Sequence, residues 1–108
     1  MLGQWVTKND LDAPEKIRAV HAVNDAQRTA YGKRFVDVQE LLTSEEALRA
    51  EPIASLNLHD RAETRAELEQ GIVPTPLRGS DGIHLSGWGN LLVSWALIEK
   101  MKELSWMA

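Results

Sequence analysis

An aspartate and a histidine separated by two residues stand in the run Asp81-Gly82-Ile83-His84-Leu85-Ser86-Gly87-Trp88-Gly89-Asn90, which leads into the apolar stretch Leu91, Leu92, Val93, Trp95, Ala96, Leu97 and Ile98. At that spacing a tight turn lets the carboxylate accept the imidazole Nδ1–H, fix the tautomer and leave Nε2 as a general base. These are two members of a Ser-His-Asp triad. The surrounding glycines suit a sharp loop, and Ser86 suits the N-cap of the helix that follows. The residues alone also allow a plainer arrangement, in which Asp81 closes a turn with Gly82 and His84 is a partly buried packing residue.

A nucleophile to complete the set is not evident. Ser80 and Ser86 each lie within two residues of a dyad member, and neither follows the strand-turn-helix elbow that presents a catalytic serine. Cysteine is absent, which excludes disulfides, thiolate metal sites and cysteine nucleophiles. No phosphate-binding glycine loop and no metal-ligand cluster occurs, so no cofactor is expected. His59 has no partner at triad or ligand spacing, and His21 falls beside a helical apolar stripe as a half-exposed packing residue.

The elements that must position the acid and base follow from patterning. Residues 4 to 7 suit a short strand ending at Asn9-Asp10. Asp12 as N-cap and Pro14 in the first turn open a helix over 13 to 31, with Ile17 and Val20 on its apolar stripe, Asn24 at the edge of its buried face and Gly32 as terminator. Lys33 to Val38 reads as a strand, with Asp37 at its C-terminal end capping or bridging a loop. A second helix, or two short turns, covers 39 to 50 and stops at Pro52. Asp60 and Glu63 start a mostly polar helix that reaches about Gln70 and ends at Gly71. Its Arg61, Glu63, Arg65, Glu67 and Glu69 suit a solvated face. A proline-stiffened loop over 71 to 80 delivers the chain to the acid/base turn, with Arg78 facing solvent or holding an anionic or sugar group. The last helix runs from about Ser86 to Leu104, and its apolar girth predicts burial on more than one side.

The run D-G-I-H-L-S-x-x-G-N, followed by a helix and preceded by a strand of the type Phe35-Val36-Asp37-Val38, resembles the last block of the SGNH (GDSL-type) hydrolases, a family of esterases, lipases and carbohydrate deacetylases. The match is specific over residues 79 to 98 and looser over 13 to 40. The resemblance implies triad roles for Asp81 and His84, and a small-molecule or carbohydrate ester as substrate. It also implies an α/β fold, the C-terminal part of a flavodoxin-like three-layer α/β/α architecture, helix-rich with one or two short parallel strands. The family's G-D-S nucleophile block is absent from this chain. Its G-x-N-D block has one counterpart, Thr7-Lys8-Asn9-Asp10, in which Thr7 replaces the glycine, so the oxyanion role would fall to Asn9.

The 108 residues allow one domain over 1–108, which this resemblance makes an incomplete hydrolase domain. A homo-oligomer or a complementing N-terminal segment is the expected partner, and a non-catalytic structural or carbohydrate-binding relic of the fold is the alternative. The chain is 44% hydrophobic and 26% charged with a formal net charge of −4. Lys33-Arg34 is the only adjacent basic pair, so there is no stripe to track phosphates and no nucleic-acid partner is expected. No stretch reaches the length of a membrane span, and no signal sequence opens the chain. A cytosolic location is expected, or secretion after loss of an N-terminal signal.

Overall fold

The structure is a computed structural model that describes residues 1–6, 10–80 and 84–105. Residues 1–6 are extended, and helix α1, Pro14–Tyr31, carries the chain back so that residues 35–37 lie beside them. Gly3 N donates to Val36 O at 2.9 Å and Val36 N donates to Met1 O at 2.8 Å, which pairs Leu2 with Val36 in parallel. An extended segment, a helix and a second extended segment in parallel contact form a crossover in its smallest version.

That pairing goes no further, and the expected strand over 33–38 contracts to one bridge. Gly32–Arg34 is a 3₁₀ turn, and Asp37 already caps helix α2, Val38–Thr43, by accepting from Glu40 N at 2.9 Å. Among the described residues no strand forms, 69% are helical, and three α/β/α layers are not built. The backbone groups that a ladder would use are instead met by side chains. Asn24 Oδ1 accepts from Gln4 N (2.7 Å) while its Nδ2 donates to Gln4 O (3.1 Å), and Gln39 Oε1 accepts from Val6 N (2.7 Å) while its Nε2 donates to Gly71 O (2.7 Å). A buried N–H or C=O must find a partner, and two amide side chains suffice here without a neighbouring strand. Asn24 is accordingly buried, well inside the edge position that periodicity suggests.

The helices follow the sequence closely at some ends and not at others. Helix α1 starts and stops at Pro14 and Gly32 as expected, but its N-cap is Ala13 with no side-chain bond, so Asp12 does not cap it. Residues 39–50 resolve into the two-turn alternative, α2 followed by a 3₁₀ turn at Ala47–Arg49. Two further 3₁₀ stretches, Glu51–Leu56 and Leu58–Asp60, meet at Asn57, which adopts a left-handed conformation that asparagine tolerates. Helix α3, Ala62–Glu69, begins one residue after Arg61 and lacks the expected Asp60 cap, while Gly71 at φ +72° turns the chain after it. Helix α4, Gly87–Glu103, has Ser86 as N-cap, as read from the sequence.

One apolar cluster holds these pieces together: Val36, Val38, Leu42, Leu48, Ile53, Leu58, Val73, Leu77 and Leu92 are all buried. It draws one or two side chains each from α2, α4 and the 3₁₀ segments after α2, with Val36 and Val73 from the extended stretches, so no single helix carries the core. The Cα radius of gyration, 13.8 Å, is near the value of about 13 Å for a packed chain of this length. Helix α4 lies on α2 and on the 3₁₀ segments Glu51–Leu56 and Thr75–Leu77. It contributes Leu92 fully and Val93 and Trp95 partly, but Trp88, Leu91 and Ile98 remain 43%, 43% and 44% exposed. The expected burial on more than one side is therefore corrected. At spacings of three, four and three, Trp88, Leu91, Trp95 and Ile98 form a stripe, of which Trp95 packs partly against the core and the other three stay exposed.

Candidate active site

His84 sits on a loop whose two arms are clamped together immediately before α4. Arg78 and Leu85 form an antiparallel bridge, Gly79 N donates to His84 O at 2.6 Å, and Ser86 N donates to Leu77 O at 2.8 Å. The backbone of His84 is thus tied to the 3₁₀ turn Thr75–Leu77, and the residue itself is exposed. An imidazole in such a place is accessible to a substrate and held in register by its own main chain. Asp81 lies outside the described residues, as does Asn9.

Both arms gain their shape from side chains the sequence marks. Ser86 Oγ accepts from Gly89 N at 3.2 Å and donates to Pro76 O at 2.8 Å, so its hydroxyl serves as helix cap and loop tie at once. That use agrees with the reading of Ser86 as a poor nucleophile. Gly89 is needed where α4 passes over the turn, because a Cβ there would collide with the carbonyl of Leu77.

A second cluster lies just behind the loop, and the sequence reading misplaced it. Arg78 Nη2 donates to Glu67 Oε2 at 2.6 Å and also bonds Thr75 Oγ1, with side chains only 8% and 12% exposed at Arg78 and Glu67. Glu67 further accepts from Thr75 N and Thr75 Oγ1, each at 3.0 Å. Neither the solvent-facing Arg78 nor the solvated Glu67 expected from helix polarity is found. Both are turned inward, because the chain after Gly71 folds back along α3. The available signal was faint: Pro74 and Pro76 stiffen a return path that brings Thr75 and Arg78 eight and eleven residues from Glu67 into reach.

Asp37 takes the capping and bridging role expected of it. It caps α2 and pairs with Arg28, whose guanidinium also bonds Asp25 at 2.8 Å and lies 5.3 Å from the centroid of the Phe35 ring. The hydrogen bond to Asp25 is the largest influence and holds the Arg28 guanidinium above its ordinary pKa; desolvation opposes it, and the charge and hydrogen bond of Asp37 add to the rise. His59 is half-buried, with Nε2 3.4 Å from Asp60 Oδ2 and Nδ1 without a partner among the described residues. His21 is exposed, where the helical stripe suggested a half-exposed packing position.

A groove of about 630 Å³ opens between α4 and the segment after α1, floored by Phe35, Val36, Leu41, Ala47 and Trp95 and rimmed by charges of both signs. Its α4 wall, from Trp95 to Lys100, lies two or more turns from the helix end that carries His84, so it is separate from the acid/base loop. Among the described residues no group of three or more His, Asp or Glu could hold a metal ion, and no helix is long and apolar enough to cross a membrane. No protein-family model, curated protein or solved structure matches this chain.

Proposed function

We propose that this chain is the C-terminal portion of an SGNH-type ester hydrolase, in which Asp81 and His84 form a dyad that acts on a serine from a segment outside this chain. The observation that carries the reading is the clamped loop: His84 is exposed, its carbonyl is bound by Gly79 N, and it precedes a capped helix by two residues. The parallel contact of Leu2 with Val36 across α1 supports the α/β part of the reading, since a completing segment could extend that bridge into a pair of strands.

In this mechanism Asp81 accepts the Nδ1–H of His84 and orients it. Nε2 takes the proton of the serine hydroxyl as its oxygen attacks the ester carbonyl. The imidazolium then gives that proton to the departing alkoxide, and water repeats the cycle on the acyl-enzyme. Asn9 is the candidate oxyanion donor for the tetrahedral intermediate. Because the serine lies elsewhere, the chain alone is inert.

The test reads the dyad directly. Ring ¹⁵N spectra of His84 should show the Nδ1–H tautomer predominating, and Asp81→Asn should disturb that preference. A tautomer indifferent to Asp81→Asn would remove the dyad. Intact mass after treatment with a fluorophosphonate should show no adduct on this chain. An adduct abolished by His84→Ala would keep the hydrolase and overturn the claim of a serine from outside.

The uncovered stripe on α4 favours a second reading, a non-catalytic relic of the fold that works through an interface. Apolar side chains in a row on an otherwise polar surface mark contact sites. Under this reading His84→Ala has no effect on behaviour, while changes on the stripe abolish association.

A further inference from the structure

We infer that Glu67, acting through Arg78 and Thr75, is the positioning residue of His84: the Glu67–Arg78 ion pair sets where the clamped backbone of His84 stands. The functional consequence rests on the reading of His84 as the proton-transfer residue, whereas the positioning itself is read from the backbone.

The connection is continuous from α3 to His84. Glu67 receives Arg78 Nη2 at 2.6 Å, and its other oxygen receives the amide and hydroxyl of Thr75, both at 3.0 Å. The carboxylate therefore pins both ends of the 3₁₀ turn that begins at Thr75 and closes before Arg78. Arg78 is in turn the bridge partner of Leu85, and the next residue, Gly79, holds the carbonyl of His84. Among the described residues the arms of the loop are otherwise joined by the Gly79–His84 and Ser86–Leu77 main-chain hydrogen bonds, a short ladder. A pair this little exposed is weakly screened and tolerates little displacement, since a shift would leave a largely desolvated charge without its partner.

The position of Glu67 has a local logic as well. It lies on the side of α3 that meets the returning chain, and Ile72 N also donates to its backbone carbonyl at 3.1 Å. One residue thus ends the helix turn through its main chain and holds the following loop through its side chain. Arg78 Nε is buried with no partner among the described residues, so the Nη2 contacts to Glu67 and Thr75 carry its orientation there.

The experiment compares amide exchange at two places in the full chain. Gly79 N–H reports the clamp on His84, and Val36 N–H, bonded to Met1 O, reports the remainder of the fold. In Glu67→Gln the protection of Gly79 should fall about tenfold or more relative to Val36, as expected when a charge-assisted bond is lost locally. The ring ¹⁵N signals of His84 should move with it. Thr75→Val, which keeps the ion pair and removes one hydroxyl, should give a smaller loss in the same ratio, and decides the matter alone if Glu67→Gln does not fold.

Equal loss at Gly79 and Val36, or loss at neither, would overturn the inference, because Glu67 would then contribute to the whole fold or to nothing. Loss at Gly79 with an unmoved His84 ring would overturn the positioning of the imidazole. Should the wild-type ring ignore Asp81→Asn, the dyad reading fails, and the Gly79-to-Val36 ratio still judges the lock.

Discussion

Asn24 grips the backbone of Gln4 from both sides, accepting from its N–H at 2.7 Å and donating to its carbonyl at 3.1 Å, from a position only 3% exposed. A neighbouring strand would make the same two bonds. Here one amide side chain on α1 makes them, and so ties the N-terminal segment to the helix that follows it.

Asn24→Ala should therefore strand two polar groups and cost about 2 kcal/mol. In a chain of this size that lowers the melting temperature by about 10 °C. Asn24→Asp, which retains the acceptor and loses the donor, should fall between. Thermal unfolding followed by circular dichroism measures both, and a change no larger than that of an exposed substitution such as Asn90→Ala would refute the role.

Two glycines near the start of α4 should respond to alanine with opposite signs. A Cβ at Gly87 meets nothing within 4 Å, so Gly87→Ala should stabilise by about 0.5–1 kcal/mol through helix propensity. At Gly89 the added carbon meets the carbonyl of Leu77, and overpacking should destabilise Gly89→Ala by about 1–3 kcal/mol. Urea unfolding of the pair gives the two signs, and agreement in sign would show that α4 does not rest on the turn at Leu77.

Ser86 should behave as a structural hydroxyl. Ser86→Ala removes the cap to Gly89 N and the bond to Pro76 O, for a loss of about 1–2 kcal/mol. Peptide mapping after fluorophosphonate treatment should find Ser86 unmodified. Modification there would mean that the hydroxyl is activated and that its two bonds are not its role.

The stripe on α4 should be separable from stability. Leu91→Glu and Ile98→Lys alter side chains more than two-fifths exposed, so each should change unfolding free energy by no more than about 0.5 kcal/mol. If the stripe is an interface, the same changes should shift sedimentation velocity toward monomer. Large destabilisation instead would show that the stripe is already buried within the chain.

Signals confined to a few neighbouring residues were legible without coordinates. Pro14 and Gly32 bound α1, Gly71 turns the chain after α3, and Ser86 caps α4 on Gly89 three residues later. Each of these depends on the dihedral limits or hydrogen-bonding reach of residues within one helical turn, which composition and spacing express directly. The Asp81–His84 spacing is also a local signal, but Asp81 lies outside the described residues.

Contacts made when the chain returns on itself were not legible. Whether Phe35-Val36-Asp37-Val38 becomes a strand depends on a partner for its open edge, and here Asp37 starts a helix instead. Whether Glu67 faces water depends on the path of residues 72–78, which carries Arg78 back onto it. Burial on α4 likewise depends on what lies opposite: Leu92 is fully covered, whereas Leu91 and Ile98 stay more than two-fifths exposed. Charge and apolarity state what a side chain can do; the distance to a remote partner sets which of those things it does, because a buried polar group needs that partner and an apolar face needs a cover.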